Sequence, residues 1–192
     1  IYWLGTERGI AKYDPKLHSF ITVKPNYPFT LLSANTILED KEHEFWVGNY
    51  VGIGTMDAAT GVYNNYSNIL GLKDKPVFSS LLDKDGSLWF GSVSTLLHVF
   101  KKKEHNGQSD LRLEKIPIPV TGQISITALT FDQTGILWVG TKGGGLLRYD
   151  PVLQSFNIYN GLATEQNPVS FNIIKCLYAV SSDSLLIGTE GK

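Results

Sequence analysis

Apolar residues in this chain recur in short runs that end on a glycine followed, four times in five, by Thr or Asn and once by Ser. The runs are Ile1-Tyr2-Trp3-Leu4-Gly5-Thr6, Phe45-Trp46-Val47-Gly48-Asn49, Leu88-Trp89-Phe90-Gly91-Ser92, Leu137-Trp138-Val139-Gly140-Thr141 and Leu185-Leu186-Ile187-Gly188-Thr189. Their glycines are spaced 43, 43, 49 and 48 residues apart, and all four tryptophans occupy this one slot. β-Branched and aromatic residues dominate the runs, and Gly or Asp-Gly punctuation returns too often for a helix, so each run predicts a strand. Phe45 and Val47 point one way and Trp46 the other, which makes the strand apolar on both faces. That pattern belongs to a sheet sandwiched between neighbours.

Around each such strand, here called B, the sequence supplies three more. A short strand A precedes it (35–39, 78–82, 126–131, 173–180), joined by a polar turn (Asp40-Lys41-Glu42-His43, Asp83-Lys84-Asp85-Gly86, Asp132-Gln133-Thr134-Gly135, Ser181-Ser182-Asp183). Gly86 and Gly135 suit the positive φ of tight hairpins. Strand C follows at 9–13, 53–57, 96–100 and 145–150, and an outer strand D lies around Phe20, Tyr63 and Phe156. Tyr13 to Phe20, Met56 to Tyr63 and Tyr149 to Phe156 are each seven residues apart. Tyr13-Asp14-Pro15 and Tyr149-Asp150-Pro151 read as C–D turns in which Asp caps the bend. A repeat of this length, built from four strands, is the unit of a β-propeller blade. The fold expectation is therefore an all-β propeller segment of about four four-stranded antiparallel blades, with repeats at 1–33, 34–76, 77–124, 125–171 and a partial one at 172–192. The tryptophans are expected in equivalent buried places between sheets, with Gly48 leaving room beside an indole.

Strand B occurs five times and strand A four times. The expectation is a piece of a larger, seven-bladed propeller whose terminal faces are covered by the remaining blades or by self-association through open edges. A compact four-bladed ring, with 185–189 beside 1–6, is the alternative.

Composition narrows the partners. Seventeen basic and 18 acidic residues leave a net charge of −1, so no global field attracts nucleic acid or an anionic membrane. No run is apolar and long enough to insert into a bilayer. The single cysteine, Cys176, sits in an apolar run and is expected to be a buried, inert thiol. His18, His43, His98 and His105 fall in unrelated parts of the repeat and make no metal-ligand spacing. Gly143-Gly144-Gly145 lacks the Lys-Ser/Thr and helix of a phosphate loop. Lys101-Lys102-Lys103 opens an outer insertion and reads as a solvated charge run. No catalytic residue, metal site or cofactor is predicted. Asp83-Lys84-Asp85-Gly86-Ser87-Leu88-Trp89 has the wrong Asp-to-Gly spacing for a glycosidase Asp box.

Gly135 to Pro151, with Ile136-Leu137-Trp138-Val139-Gly140-Thr141-Lys142-Gly143-Gly144-Gly145-Leu146-Leu147-Arg148-Tyr149-Asp150 between, resembles the two-component regulator propeller repeat. Gly5 to Pro15 resembles it as a second copy, while the copies after Trp46 and Trp89 are degenerate. Asn49 stands where Thr is usual, Leu186 where Trp is usual, and Val93-Ser94-Thr95 lacks the usual Gly. The resemblance implies a sensor segment of a hybrid two-component histidine kinase of Bacteroides-type bacteria, in the periplasm, with an oligosaccharide ligand and signalling domains elsewhere in the parent. The expected ligand face carries the B–C and D–A loops, where Arg8, Tyr50 and Lys142 are the candidate binding residues and Tyr27 and Asn68 weaker ones. A polysaccharide lyase or hydrolase, a streptogramin-lyase-like enzyme and a pure protein-interaction platform remain as alternatives.

Overall fold

The computed structural model describes residues 1–7, 9–23, 33–60, 62–72, 75–103, 109–160 and 173–190. Among these it contains strands and no helix. The first sheet is β1 (Tyr2–Thr6), β2 (Gly9–Asp14) and β3 (Ser19–Val23), in that order. The second is β4 (Thr36–Glu39), β5 (Phe45–Asn49), β6 (Gly52–Met56) and β7 (Tyr63–Asn65). The third comprises β8 (Ser79–Leu82), β9 (Leu88–Gly91), β10 (Thr95–Lys103) and β11 (Ser109–Pro117); the fourth β12 (Ser125–Phe131), β13 (Leu137–Lys142), β14 (Leu146–Asp150) and β15 (Ser155–Tyr159). β16 (Ile174–Ala179) and β17 (Leu185–Thr189) form a two-stranded sheet. The seven-residue spacing read from the sequence is the C–D register: Tyr13 faces Phe20, Met56 faces Tyr63 and Tyr149 faces Phe156. The chain divides into two compact units, Ile1–Phe90 with His98–Glu114, and Gly91–Leu97 with Lys115–Lys192.

Within the first unit every residue of β5 is buried, as the apolar pattern on both faces requires. Phe45 meets Trp3 at 4.6 Å between ring centroids, and Trp46, on the other face, meets Phe90 at 6.2 Å and Tyr66 at 5.7 Å. Aromatic pairs at such offsets stabilise beyond their buried area. Ile10, Ala34, Val47, Met56 and Tyr63 complete one core cluster. In the second unit Ala128, Leu146 and Ile174 are joined by the half-buried Trp138, Leu177, Leu185 and Ile187.

The tryptophans are not equally buried. Trp46 and Trp89 are 1% exposed, whereas Trp3 and Trp138 are only half-buried. Trp138 faces the two-stranded β16–β17, which covers less of an indole than a four-stranded sheet does. The glycine of the repeated run also has a different purpose from the one expected. A Cβ on Gly48 would lie 2.6 Å from Cγ2 of Thr36 and from Cγ1 of Val77, and one on Gly140 would lie 2.5 Å from Cγ2 of Ile174. The missing side chain admits the residue that leads into or opens the following sheet, Val77 or Ile174, and at Gly48 also Thr36 of its own sheet; it does not make room for the indole. Backbone bonds mark the same approach: Ala34 N–H donates to Thr6 O (3.0 Å) and Val77 N–H to Asn49 O (2.8 Å).

Two further expectations are corrected. Cys176 is exposed, because β16 lies in the two-stranded sheet and its apolar sequence is not matched by cover on both faces. Lys101 is not a solvated rim residue. Its side chain is 11% exposed and its Nζ reaches Asp40 (3.0 Å), Glu42 (2.7 Å) and Glu44 (2.7 Å), joining β10 to the A–B turn of the second sheet.

Candidate functional site

In three of the B–C turns the residue after the strand-B glycine locks the hairpin. Thr6 Oγ1 donates to Gly9 O (2.9 Å), and the buried Thr141 Oγ1 donates to Gly145 O (2.6 Å) while accepting from Gly144 N–H (3.0 Å). Asn49, where Thr is usual, does the same work with an amide: its Oδ1 accepts from Val51 N–H (2.9 Å) and its Nδ2 donates to Tyr63 Oη (3.2 Å). Gly52 closes its turn at φ +129°, and a Cβ there would lie 2.8 Å from Cβ of Ser67, so no other residue fits. The third repeat lacks that glycine, and Ser94 takes positive φ (52°) in its place, its Oγ donating to Gly122 O (2.8 Å) and accepting from Ile124 N–H (3.0 Å).

In these three turns the residue after the lock is presented to solvent. Glu7, Tyr50 and Lys142 are all exposed. Tyr50 is 57% exposed and its ring stands edge-on to Phe78, centroids 6.2 Å apart. Lys142 bridges through its backbone to Ile173. Its charge joins that of Lys175, the larger influence and a direct partner, in holding Glu190 below the ordinary carboxylate range. Tyr50 belongs to the first compact unit and Lys142 to the second. Arg8 and Tyr27 lie outside the described residues. Asn68 is exposed in a turn where its carbonyl accepts from Gly71 N–H (3.2 Å).

The opposite ends of the strands, at the A–B turns, carry clefts that the sequence did not suggest. One of 270 Å³ is lined by Asp40, Lys41, Glu42, Asp85, Ser87 and Lys101, and another of 580 Å³ by residues including Glu44, Asp57, Asn64 and Lys101. Lys101 stands at both. Burial draws its pKa down, but the Glu42, Glu44 and Asp40 carboxylates outweigh this and raise it, so it stays charged. Burial pushes Asp40 up, and the Trp46 indole, the Glu44 amide, Lys101 and the Glu42 amide together bring it below its ordinary value. A third cleft, of 140 Å³, lies in the second unit between Asp132, Trp138 and the turn at Ser181–Ser184.

Among the described histidines, His98 is packed: it stacks on Trp89 at 3.8 Å and bonds Ser87 Oγ through Nε2 (2.8 Å), and burial lowers its pKa below 6.5. Ser87 Oγ also bonds Asp85 Oδ1 (2.6 Å). The carboxylate therefore contacts the serine instead of orienting the imidazole, which is not the arrangement of a Ser-His-Asp triad. His43 pairs with Glu39 at the surface (2.6 Å) and His18 is exposed. Among the described residues no three His, Cys, Asp or Glu side chains are grouped to hold a metal ion, and no helix is long and apolar enough to cross a membrane.

Among the described residues, antiparallel sheets, three of them four-stranded, recur with a glycine in every central run and an indole in the first four, and this arrangement has its counterparts among known propellers. Residues 71–94 match the two-component regulator propeller family. This match falls on the Asp83 turn and the Trp89 strand, a copy that looks degenerate only beyond Gly91. Among solved structures, the extracellular domain of the hybrid two-component system BT4673 from B. thetaiotaomicron superposes with a TM-score of 0.73 at 21% identity, over 97% of this chain and 24% of that one. The extracellular domain of the hybrid two-component system BT3049 from the same organism gives 0.54 at 21% identity, over 98% and 30%. A catalytically inactive virginiamycin B lyase from Staphylococcus aureus, solved with quinupristin, gives 0.68 at 14% identity, over 97% and 62%. At these identities the likeness establishes the fold, an all-β propeller segment. The chain spans about a quarter of the length of the BT4673 domain. No curated protein matches the sequence.

Proposed function

We propose that the chain is a ligand-reading segment of the extracellular region of a hybrid two-component sensor, held in the periplasm, where it recognises a glycan fragment and signals to a histidine kinase elsewhere in the same protein. The observation that carries this reading is the propeller-family match at 71–94 within a chain that superposes along nearly its whole length on extracellular domains of such systems. The B–C turns support it. In three of these turns Thr6, Asn49 or Thr141 locks the frame while the presented residue changes from Glu7 to Tyr50 to Lys142, a surface that can vary its chemistry without altering its fold. Tyr50 offers a ring to a sugar face, and Arg8 and Lys142 offer charge to a carboxylate or sulfate. In this reading the segment performs no chemistry and needs no cofactor.

Calorimetry against a panel of glycan fragments tests it, with the triple variant Arg8→Ala, Tyr50→Ala, Lys142→Ala beside the wild type. Each residue in the site should account for about 1–3 kcal/mol of binding, with the melting temperature unchanged. Binding undiminished in the triple variant removes these residues from the site. The likeness to a lyase favours a second reading, an axial-face enzyme; turnover of any glycan or of a streptogramin would establish it in place of the first.

A further inference from the structure

β11 stands last in its sheet, hydrogen-bonded to β10, and is nine residues long. The outer strands of the other sheets have five residues (β3), three (β7) and five (β15). A long outer strand presents a row of N–H and C=O groups that can template pairing with another chain, and proteins normally blunt such edges by shortness, by proline or by charged side chains, lysine above all. β11 is long, its proline, Pro117, is at the end, and its charges do not repel a second copy uniformly: besides Lys115, they alternate in sign at every second position, Asp110, Arg112, Glu114. Period two places these three on one face of the sheet, with Leu111 and Leu113 on the other. Arg112 Nη2 lies 2.7 Å from Glu114 Oε1, with the two side chains 73% and 39% exposed.

Two copies of this edge related by a two-fold axis perpendicular to the sheet run antiparallel and set residues of the same face opposite each other. The available registers therefore differ by which residue lies on the axis. With Arg112 on the axis, Arg112 faces itself and Asp110 faces Glu114. With Glu114 on the axis, that carboxylate faces itself. With Leu113 on the axis, Arg112 of each copy faces Glu114 of the other, and Leu113 faces Leu113. Opposite charges directly across a strand pair stabilise it and like charges destabilise it, so the sequence favours Leu113 over both neighbours. Leu111 on the axis would also set Asp110 opposite Arg112, but it pairs only residues 109–113, whereas Leu113 on the axis pairs the whole strand, 109–117. A two-fold contact uses the same edge on both copies and closes on itself, which prevents growth into a fibre.

We propose that β11 is a self-association edge that joins two copies of this chain antiparallel, with Leu113 on the two-fold axis and Arg112 facing Glu114 of the second copy. One strand pair is a small contact, so the dimer is weak, salt-sensitive and dependent on concentration. The proposal is independent of any glycan.

Sedimentation equilibrium on charge-reversal variants tests it. Arg112→Glu and Glu114→Arg each bring like charges across the axis, and each should weaken self-association by about tenfold or more. Mixing these two variants should restore the dimer, because the like-charged edges are now complementary to each other. Restoration by mixing is a readout that loss of the intrastrand Arg112–Glu114 pair would not give. The double reversal keeps the intrastrand pair and therefore its fold. It should self-associate like the wild type, yet the two should not pair with each other when mixed. A wild type that stays monomeric at every attainable concentration, single variants that associate as strongly as it does, or free exchange between the wild type and the double reversal would overturn the proposal.

Discussion

The Trp46 indole donates from Nε1 to Asp40 Oδ2 at 2.9 Å, from the strand back to the first residue of the turn that precedes it. The same bond joins Trp89 to Asp83 (3.0 Å) and Trp138 to Asp132 (2.9 Å), always six residues apart. The other carboxylate oxygen organises the turn: Asp40 Oδ1 accepts from Glu42 and Glu44 N–H, and Asp132 Oδ1 from Thr134 and Ile136 N–H. One side chain thus satisfies a buried indole and several turn amides. In the fifth repeat both partners change together, to Val180 and Leu186.

Removing the acceptor should therefore cost more than a surface change. Asp132→Ala leaves the indole and the Ile136 amide without their partner and is expected to destabilise by about 1–3 kcal/mol. Urea denaturation followed by tryptophan emission measures it. A midpoint equal to that of the wild type would show that water replaces the carboxylate at no cost.

The glycines make a sharper prediction, because at Gly48 the clash is with both its cross-strand neighbour Thr36 and Val77, which leads into the next sheet. Gly48→Ala places a methyl group 2.6 Å from Thr36 and Val77, and overpacking of this kind costs about 1–3 kcal/mol. Val77→Ala in the same chain should recover part of the loss, since it removes one of the two clashing groups. At Gly188 the added Cβ would meet the Cys176 thiol, which can rotate away. Gly188→Ala is accordingly the milder substitution, and thermal unfolding of the three variants ranks them.

What the sequence showed depended on whether the cause was local. The period, the strand order and the C–D register follow from residues within one repeat, so Tyr13–Phe20 and Tyr149–Phe156 could be paired by counting. The Asp-to-Trp clamp is equally visible as a constant interval of six residues, but an Asp at the head of a turn also reads as an ordinary turn residue. The depth of Trp138, the exposure of Cys176 and the burial of Lys101 depend on what another sheet places opposite them. Lys101 lies 57 residues from Glu44 and 61 from Asp40, an interval that repeats nowhere, and three lysines in a row gave no hint that the first differs. The presented residues Tyr50 and Lys142 were legible as variable turn positions, whereas the clefts at the A–B turns arise only from packing.

The Lys101 hub gives a pH dependence with two limbs. Asp40 has a folded pKa below its ordinary 3.8, so its contribution is present above that value and is lost as pH falls through the lower, folded one. Lys101 has a folded pKa above its ordinary 10.5, so its contribution is present below 10.5 and is lost as pH rises through the higher, folded one. Stability from this cluster should therefore be level across the neutral range and decline at both extremes. Lys101→Met leaves three carboxylates together, Asp40 among them with only 4% of its side chain exposed, and should cost about 2–3 kcal/mol after allowing for the partial exposure of Glu42 and Glu44. It should also move the acid limb to higher pH, because Asp40 loses one of the partners that lower it, and abolish this cluster's share of the alkaline limb. Melting temperatures of wild type and variant from about pH 2 to 12 would test both, the alkaline limb opening only above 10.5. An acid limb that does not move on losing Lys101 would mean that the Trp46 indole and the turn amides alone hold Asp40 charged.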